Sequence, residues 1–150
     1  MKILMVCLGN ICRSPVAEGI LKHKAMTAGL KIVVDSAGTS GWHDGSAPDE
    51  RSQKSTLKHG INISRQQSRK VNSIDFETFD LIYAMDENNL KELQKMSSSK
   101  NKHKLKLILN EIYPNKNQSV PDPYFTTDGF DEVFEMLNNA CDKIIHNLKI

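Results

Sequence analysis

Near the start of the chain stand a cysteine and an arginine, Cys7 and Arg13, whose side chains could do chemistry together. A thiol beside positive charge loses its proton readily, and the resulting thiolate is a strong nucleophile. The guanidinium of Arg13 presents a planar fork of donors that matches two phosphate oxygens at once. Gly9, between them, is expected to allow the backbone angles of a tight turn. We therefore predict that Cys7 is largely a thiolate near neutral pH and attacks a phosphate ester at phosphorus.

The segments on either side of this loop must position it. Residues 3–6 form an unbroken apolar run, which is typical of a strand buried on both faces of a parallel sheet. After the loop, Ser14 is expected to cap a helix and Pro15 to occupy its first position. A loop from a buried strand to a helix start gathers unpaired N–H groups that favour anions. It has no second glycine and no Gly-Lys-Ser/Thr sequence, so nucleoside triphosphate binding is disfavoured.

The spacing of Cys7 and Arg13 is weak evidence by itself, because the chain has 3 cysteines and several arginines. The competing interpretation is that Cys7 is a small buried apolar residue at a strand end. The strand before the loop, the glycine within it and the helix start after it together favour the nucleophile.

Strands and helices alternate along the rest of the chain. Further strands are predicted over 30–37, 79–85 and 105–109, and helices over 48–58, after Asp86 and through 130–148. The alternation of Lys and Leu in the last strand indicates an edge position. This order predicts an α/β fold, a three-layer sandwich whose four-stranded parallel sheet is flanked by helices on both faces. At 150 residues the chain is expected to form a single domain over 1–150.

A second candidate for chemistry is Asp122, which lies between Pro121 and Pro123. Two flanking prolines stiffen the backbone, so the carboxyl group can be held at a fixed place. Cleavage of a phosphate ester needs a proton for the departing oxygen, and Asp122 is the candidate general acid. Taken alone, an ordinary turn aspartate is the favoured interpretation of this residue.

Composition excludes several other classes of protein. With 20 basic and 18 acidic residues the net charge is +2, and no nucleic-acid-binding surface is expected. No signal peptide or transmembrane helix is visible, so we expect a cytoplasmic protein that does not bind membranes. Three cysteines make no disulfide framework, and no Cys/His cluster has zinc spacing, so no metal is predicted. The 5 histidines are scattered and expected at the surface, and Cys141 is expected to be inert packing on a helix face.

The sequence from Cys7 to Pro15, Cys-Leu-Gly-Asn-Ile-Cys-Arg-Ser-Pro, resembles the signature loop of the low-molecular-weight protein tyrosine phosphatases. The resemblance continues through Asp35-Ser36-Ala37-Gly38-Thr39, Met85-Asp86-Glu87-Asn88-Asn89-Leu90 and Asp122-Pro123-Tyr124. It implies hydrolysis of phosphotyrosine and other aryl phosphomonoesters through a phosphocysteine on Cys7. In that reaction Arg13 holds the phosphate, and Asp122 protonates the leaving phenol and then activates water. No cofactor is implied.

The resemblance also assigns the remaining site residues. The loop that binds the phosphate comprises Leu8, Gly9, Asn10, Ile11, Cys12 and Ser14. The slot for the aromatic ring is lined by Trp42, Tyr124 and Phe125. Ser36 is expected to join a hydrogen-bond network with Asn10 and Ser14, and Cys12 to form a reversible disulfide with Cys7. Gln66 stands where many relatives have a histidine that supports the loop asparagine, and it is expected to take over that support without carrying a charge.

Three competing functions remain open. Protein-arginine phosphatases of this fold have a threonine in place of the loop isoleucine, so Ile11 favours tyrosine. An arsenate reductase needs a further cysteine to relay a disulfide, and Cys141 lies on a packed helix face. A catalytically inactive phosphotyrosine-binding module would be expected to lose Cys7 or Asp122. The expected partners are phosphotyrosine-containing proteins, with inorganic phosphate as product, and the chain is expected to be a monomer or weak dimer.

Overall fold

The computed structural model describes residues 1–149, in which strands and helices alternate. The strands are β1 (Lys2–Cys7), β2 (Val33–Gly38), β3 (Leu81–Ala84) and β4 (Leu105–Leu107). The helices are α1 (Arg13–Thr27), α2 (Glu50–Leu57), α3 (Asp75–Thr78), α4 (Glu87–Met96) and α5 (Gly129–Leu148). Two 3-10 helices, Ser99–Lys104 and Ile108–Glu111, flank β4. Within residues 1–149, no helix is long and apolar enough to cross a membrane.

The four strands form one parallel sheet in the order β2-β1-β3-β4, which confirms the predicted sheet. Cys7 at the end of β1 pairs with Gly38 of β2, and Val6 pairs with Ala84 of β3. Because parallel strands end at the same side of a sheet, the segments after β1, β2 and β3 meet there. β4 is an edge strand, as its Lys/Leu alternation predicted.

Helices cover both faces of the sheet, because the side chains of β1 alternate between two cores. Ile3, Met5 and Cys7 pack with α1 and α5, whereas Leu4 and Val6 pack with α3 and α4. Residues 3–6 are wholly buried, as expected for a central strand with helices on each side. The three-layer α/β sandwich predicted from the sequence is confirmed.

The start of α1 differs from the prediction. The helix begins at Arg13, with Cys12 at the N-cap and no side-chain cap. Ser14 therefore does not cap the helix, because its hydroxyl group is taken up by Cys7 and Asn10. The first two turns of α1 are buried all round between the sheet, α2 and α5, so these turns have no exposed polar face.

Other boundaries shift by a few residues. β2 begins at Val33, because Leu30 N–H still bonds the carbonyl of Ala25 at the end of α1. β4 ends at Leu107, and the apolar residues after it turn into a 3-10 helix. Of the four alternating lysines at 100–106, only the last lies in the edge strand. Asp86 caps α4 through a complete capping box with Asn89, as its position predicted.

Candidate active site

The loop between β1 and α1 forms the floor of a cavity of about 190 Å³ at the carboxyl side of the sheet. Cys7 lies at its base and is 3% exposed. The cavity is lined by Cys7, Leu8, Gly9, Ile11, Cys12, Arg13, Trp42, His43, Asp122, Tyr124 and Phe125. Most of the residues that the sequence predicted for the site therefore meet around one cavity, although they come from distant parts of the chain.

The loop backbone is oriented from outside. The carbonyls of Cys7, Leu8 and Ile11 accept hydrogen bonds from the N–H groups of residues 39, 40 and 49. Among the residues that the structure describes, the N–H groups of residues 8–12 have no hydrogen-bond acceptor. Carbonyls held outward and free N–H donors beside a helix start create positive potential in the cavity. The loop is therefore built to receive an anion.

Asn10 holds the loop in its shape. Its φ of 55° lies in the left-handed region, and the residue is 3% exposed. Its Nδ2 donates to Ser14 Oγ at 2.8 Å and to Ser36 Oγ at 2.9 Å, and its Oδ1 accepts from Arg69 N–H at 3.0 Å. These three hydrogen bonds, two of them fully buried, offset the cost of this backbone conformation.

The prediction that Gly9 is needed for special backbone angles is wrong. Gly9 is not among the residues of positive φ, since Asn10 makes the left-handed turn instead. A Cβ at Gly9 would lie 3.1 Å from Cδ2 of His43, which packs over the loop. Close approach of this ring, rather than a special backbone angle, favours glycine at position 9.

A chain of hydrogen bonds runs behind Cys7, from Glu18 through Ser36 and Asn10 to Ser14. A Glu18 carboxylate can only accept, so it takes the hydroxyl proton of Ser36, whose Oγ lies 2.6 Å away. Ser36 and Ser14 each accept one amide proton of Asn10. The hydroxyl proton of Ser14 is then free for Cys7 Sγ, 3.0 Å away. A Cys7 thiolate has no proton to give, so Ser14 is the donor to the sulfur whenever Cys7 is a thiolate.

Arg13 is buried beneath the cavity, 2% exposed. Its Nη1 donates to Asp86 Oδ2 at 2.6 Å and to the carbonyl of Val120 at 3.0 Å. Burial disfavours the charged guanidinium, but a Cys7 thiolate and the hydrogen-bonded Asp86 outweigh it and raise the pKa of Arg13. The guanidinium is therefore a permanent positive charge with a fixed orientation.

Asp122 approaches the same guanidinium from the opposite wall. Its Oδ2 lies 3.7 Å from Arg13 Nη2, and its Oδ1 accepts from Tyr124 N–H at 3.0 Å. The side chain is 40% exposed, so the carboxyl group is restrained and still reaches the cavity. Asp122 therefore lines the same cavity as Cys7 and Arg13.

Aromatic side chains form the rim. Trp42 is 77% exposed and Phe125 is 92% exposed, while Tyr124 packs edge-to-face on Phe125 with 4.9 Å between ring centroids. His43 is half-buried in the cavity wall, whereas the other four histidines are exposed as predicted. A planar group attached to a phosphate at the floor would meet these rings.

Cys12 and Cys141 are both buried free thiols. Burial, together with the charge of Asp49, raises the pKa of Cys12 to about 12. Cys141 is wholly buried in the core with α1, which agrees with its predicted packing role. A disulfide between Cys7 and Cys12 stays a prediction.

Gln66 does not support Asn10, contrary to expectation. Its Nε2 donates to the carbonyl of Pro15 at 3.0 Å, and its Oε1 is buried without a partner among the described residues. Its amide lies against α1 beside Gly19, and the Asn10 oxygen is already occupied by the N–H of Arg69. Backbone N–H therefore replaces the expected side chain.

Glu18 and Asp86 contribute to the site, but neither role is predicted from the sequence. Their positions in the sequence indicate only helix termini. Asp86 lies two residues after β3, at the carboxyl end of the sheet where Cys7 also lies, and this position is a signal that could have revealed it. Glu18 is 4% exposed, and its burial has no clear sequence signal. Among residues 1–149, no group of three or more His, Cys, Asp or Glu side chains is arranged to hold a metal ion.

Comparison with known proteins links the whole chain to one family. The model of the family "low molecular weight phosphotyrosine protein phosphatase" matches residues 2–150. The low molecular weight protein-tyrosine-phosphatase YfkJ of Bacillus subtilis is 39% identical over 149 residues, covering 98% of this chain and 95% of the relative. A protein tyrosine phosphatase from Entamoeba histolytica, solved with Hepes in its active site, superposes with a TM-score of 0.94 at 39% identity, covering 99% of this chain and 97% of that one. A Drosophila arginine phosphatase superposes with a TM-score of 0.93 at 35% identity, covering 100% of this chain and 99% of that one.

Proposed function

The chain belongs to the low molecular weight phosphotyrosine protein phosphatase family, and we propose that it hydrolyses aryl phosphomonoesters through a covalent phosphocysteine on Cys7. The observation that carries this proposal is the 3.0 Å hydrogen bond between Ser14 Oγ and Cys7 Sγ at the base of a cavity that Arg13 and Asp122 also line. A nucleophile, an anion cradle and a proton donor then surround one phosphate-sized space. The family membership confirms the resemblance inferred from the sequence.

In the first step the Cys7 thiolate attacks phosphorus, forming an S–P bond while the bond from phosphorus to the tyrosyl oxygen breaks. Asp122 gives its proton to that oxygen, so a neutral phenol leaves. Arg13 and the free N–H donors of residues 8–12 bind the equatorial phosphate oxygens, where negative charge must be stabilised in the transition state. Because these groups supply the positive charge, the proposed cycle uses no metal ion.

In the second step a water molecule attacks the phosphocysteine. Asp122, now a carboxylate, takes the proton of this water as the new P–O bond forms. The S–P bond breaks, inorganic phosphate is released and Cys7 leaves as a thiolate. The hydrogen bond donated by Ser14 stabilises that leaving thiolate, so the same network assists both steps.

Phosphotyrosine is the proposed substrate because the cavity walls are aromatic and apolar. Trp42 and Tyr124 flank an opening in which a phenyl ring can lie, and Phe125 stands at its edge. The similarity to a Drosophila arginine phosphatase makes phosphoarginine a second candidate substrate. Ile11 at the floor of the cavity argues against this candidate.

Arsenate reduction and phosphotyrosine binding without catalysis both lose support. An arsenate reductase needs a further reachable cysteine, but Cys141 is wholly buried between α1 and α5. An inactive binding module would not need Asp122 beside Arg13. We place the activity in the cytoplasm, in line with the sequence, and the buried Cys12 thiol in the cavity wall is the proposed partner of Cys7 under oxidation.

Release of phosphate from 4-nitrophenyl phosphate and from matched phosphotyrosine and phosphoarginine peptides tests this proposal, with a chelator and a thiol reductant present. We expect turnover of the aryl phosphates, its loss in Cys7→Ser and its weakening in Asp122→Ala. Cys141→Ser is the matched control and should keep the activity, since its sulfur lies in the core. Absence of turnover in the reduced native protein, or full activity of Cys7→Ser, contradicts the proposal.

A further inference from the structure

The guanidinium of Arg51, in the first turn of α2, reaches across to the loop that carries Asp122. Its Nη2 donates to the carbonyl of Tyr124 at 3.0 Å, and its Nη1 donates to the carbonyl of Thr126 at 3.2 Å. Its Cζ also lies 5.5 Å from the centre of the Tyr124 ring and 4.5 Å from that of Phe130. One side chain thus contacts two backbone carbonyls and one ring of the loop, and a second ring in the helix that follows it.

The other side of Arg51 is tied to the Cys7 loop. Its Nε and Nη2 each lie 3.0 Å from a carboxylate oxygen of Asp49, the cap of α2. The N–H of Asp49 donates to the carbonyl of Ile11 at 2.8 Å, within the loop that holds the nucleophile. The chain of contacts therefore runs from the nucleophile loop through Asp49 and Arg51 to the loop of Asp122.

The loop of Asp122 has few other anchors. Val120, directly before it, is held by Arg13 and Met85. The other hydrogen bonds are local: Thr126 to the carbonyl of Pro123, Tyr124 N–H to the Asp122 carboxylate, and Gly129 N–H to Thr126 Oγ1. Within residues 1–149, the backbone of 121–127 receives hydrogen bonds from outside the loop only from Arg51. Beyond Val120, the backbone of this loop is therefore held from outside by Arg51, while the Asp122 carboxylate itself lies 3.7 Å from Arg13.

We propose that Arg51 is a positioning residue that sets the distance of the Asp122 carboxyl group from the leaving oxygen. This inference rests on the proposed function, because it assigns how the proton donor is held. A planar fork is needed to span two carbonyls while pairing with a carboxylate, and lysine cannot reproduce it. Displacement of a proton donor slows the reaction most where the leaving group most needs a proton.

The test compares kcat/KM for phenyl phosphate, a poor leaving group, with that for 4-nitrophenyl phosphate, a good one. Arg51→Met should lower the first value by about 10-fold or more and the second by less than about threefold, because general acid catalysis supplies about 10²–10⁴-fold in rate. Arg51→Lys should give an intermediate ratio. Lys58→Met, which breaks the ion pair of Lys58 with Asp131 near the other end of α2, is the matched control and should leave the ratio unchanged.

A double variant separates positioning from a merely structural role. If Arg51 acts through Asp122, then Arg51→Met should have little further effect in an Asp122→Ala background. Equal losses on both substrates, or a full Arg51 effect without Asp122, overturn the inference. Native activity that needs no Cys7 would instead overturn the proposed function. If Arg51→Met does not fold, Arg51→Lys and Asp49→Asn, which keeps a capping side chain, give the same comparison.

Discussion

Replacing Ser14 with alanine removes the hydroxyl group that lies 3.0 Å from Cys7 Sγ. Ser14 is wholly buried, so water does not replace the lost donor. A hydrogen bond to a charged group contributes about 1.5–3 kcal/mol, and about 1.4 kcal/mol corresponds to tenfold. The thiolate population of Ser14→Ala should therefore fall by about 10- to 150-fold under conditions where the thiol predominates.

The assay is alkylation of Cys7 by iodoacetamide as a function of pH, followed by mass spectrometry of the labelled peptide. We expect the Ser14→Ala rate profile to shift to higher pH, and turnover of 4-nitrophenyl phosphate to fall because the thiolate is also the leaving group of the second step. The variant also leaves one Asn10 amide proton without an acceptor, which costs about 1–3 kcal/mol of unfolding free energy.

Ser55→Ala is the matched control, because Ser55 is also a buried serine that donates to a charged group, Asp131, at 2.6 Å. It should lose similar stability in urea without any change in the alkylation of Cys7. An alkylation profile of Ser14→Ala that coincides with that of the native protein would refute the role of Ser14 as hydrogen-bond donor to the sulfur.

Three further predictions concern the same loop. Because its pKa is raised to about 12, Cys12 should stay unlabelled by iodoacetamide at neutral pH while Cys7 reacts. Both cysteines should be labelled in urea, which peptide mass spectrometry would show. Equal labelling of the two in the folded protein would contradict this prediction. Gly38→Ala would place a Cβ 2.7 Å from a backbone carbonyl of the loop, so we expect a loss of about 1–3 kcal/mol in urea unfolding together with reduced turnover, and an unchanged variant would show that the loop yields. Asp86→Ala leaves Arg13 buried without its 2.6 Å partner and should cost about 3–5 kcal/mol of unfolding free energy in urea. Asp86→Asn, which also removes the charge, should lose a similar amount, whereas native stability of Asp86→Asn would show that the charge does not matter there.

The sheet could be predicted from the sequence because its strands are short apolar runs separated by helical patterns. The errors at the boundaries come from tertiary packing. Ile108 and Leu109 continue the apolar run of β4 but leave the sheet, because a 3-10 turn carries them into the core formed by α1 and α5. A run of buried residues does not reveal which core it enters.

The residues of the site also fall into those that local sequence rules predict and those that only tertiary packing reveals. Cys7 and Arg13 could be placed together because one loop carries both, and local rules govern loops between strands and helices. Glu18 and Arg51 could not, since their partners come from distant segments that only the folded chain brings near. The predicted role of Gln66 is wrong for a related reason, because the Asn10 oxygen that it was expected to serve is occupied by the N–H of Arg69.

Capture of the covalent intermediate tests the central claim most directly. Acid quenching of the native protein during turnover of 4-nitrophenyl phosphate, whose good leaving group makes the first step fast, followed by peptide mapping under conditions that preserve phosphocysteine, should find one phosphoryl group on Cys7. Ser14→Ala should accumulate more of it, because the departing thiolate lacks its donor. Steady turnover with no phosphoryl group on Cys7, or with the label on another residue, would contradict nucleophilic attack by this sulfur.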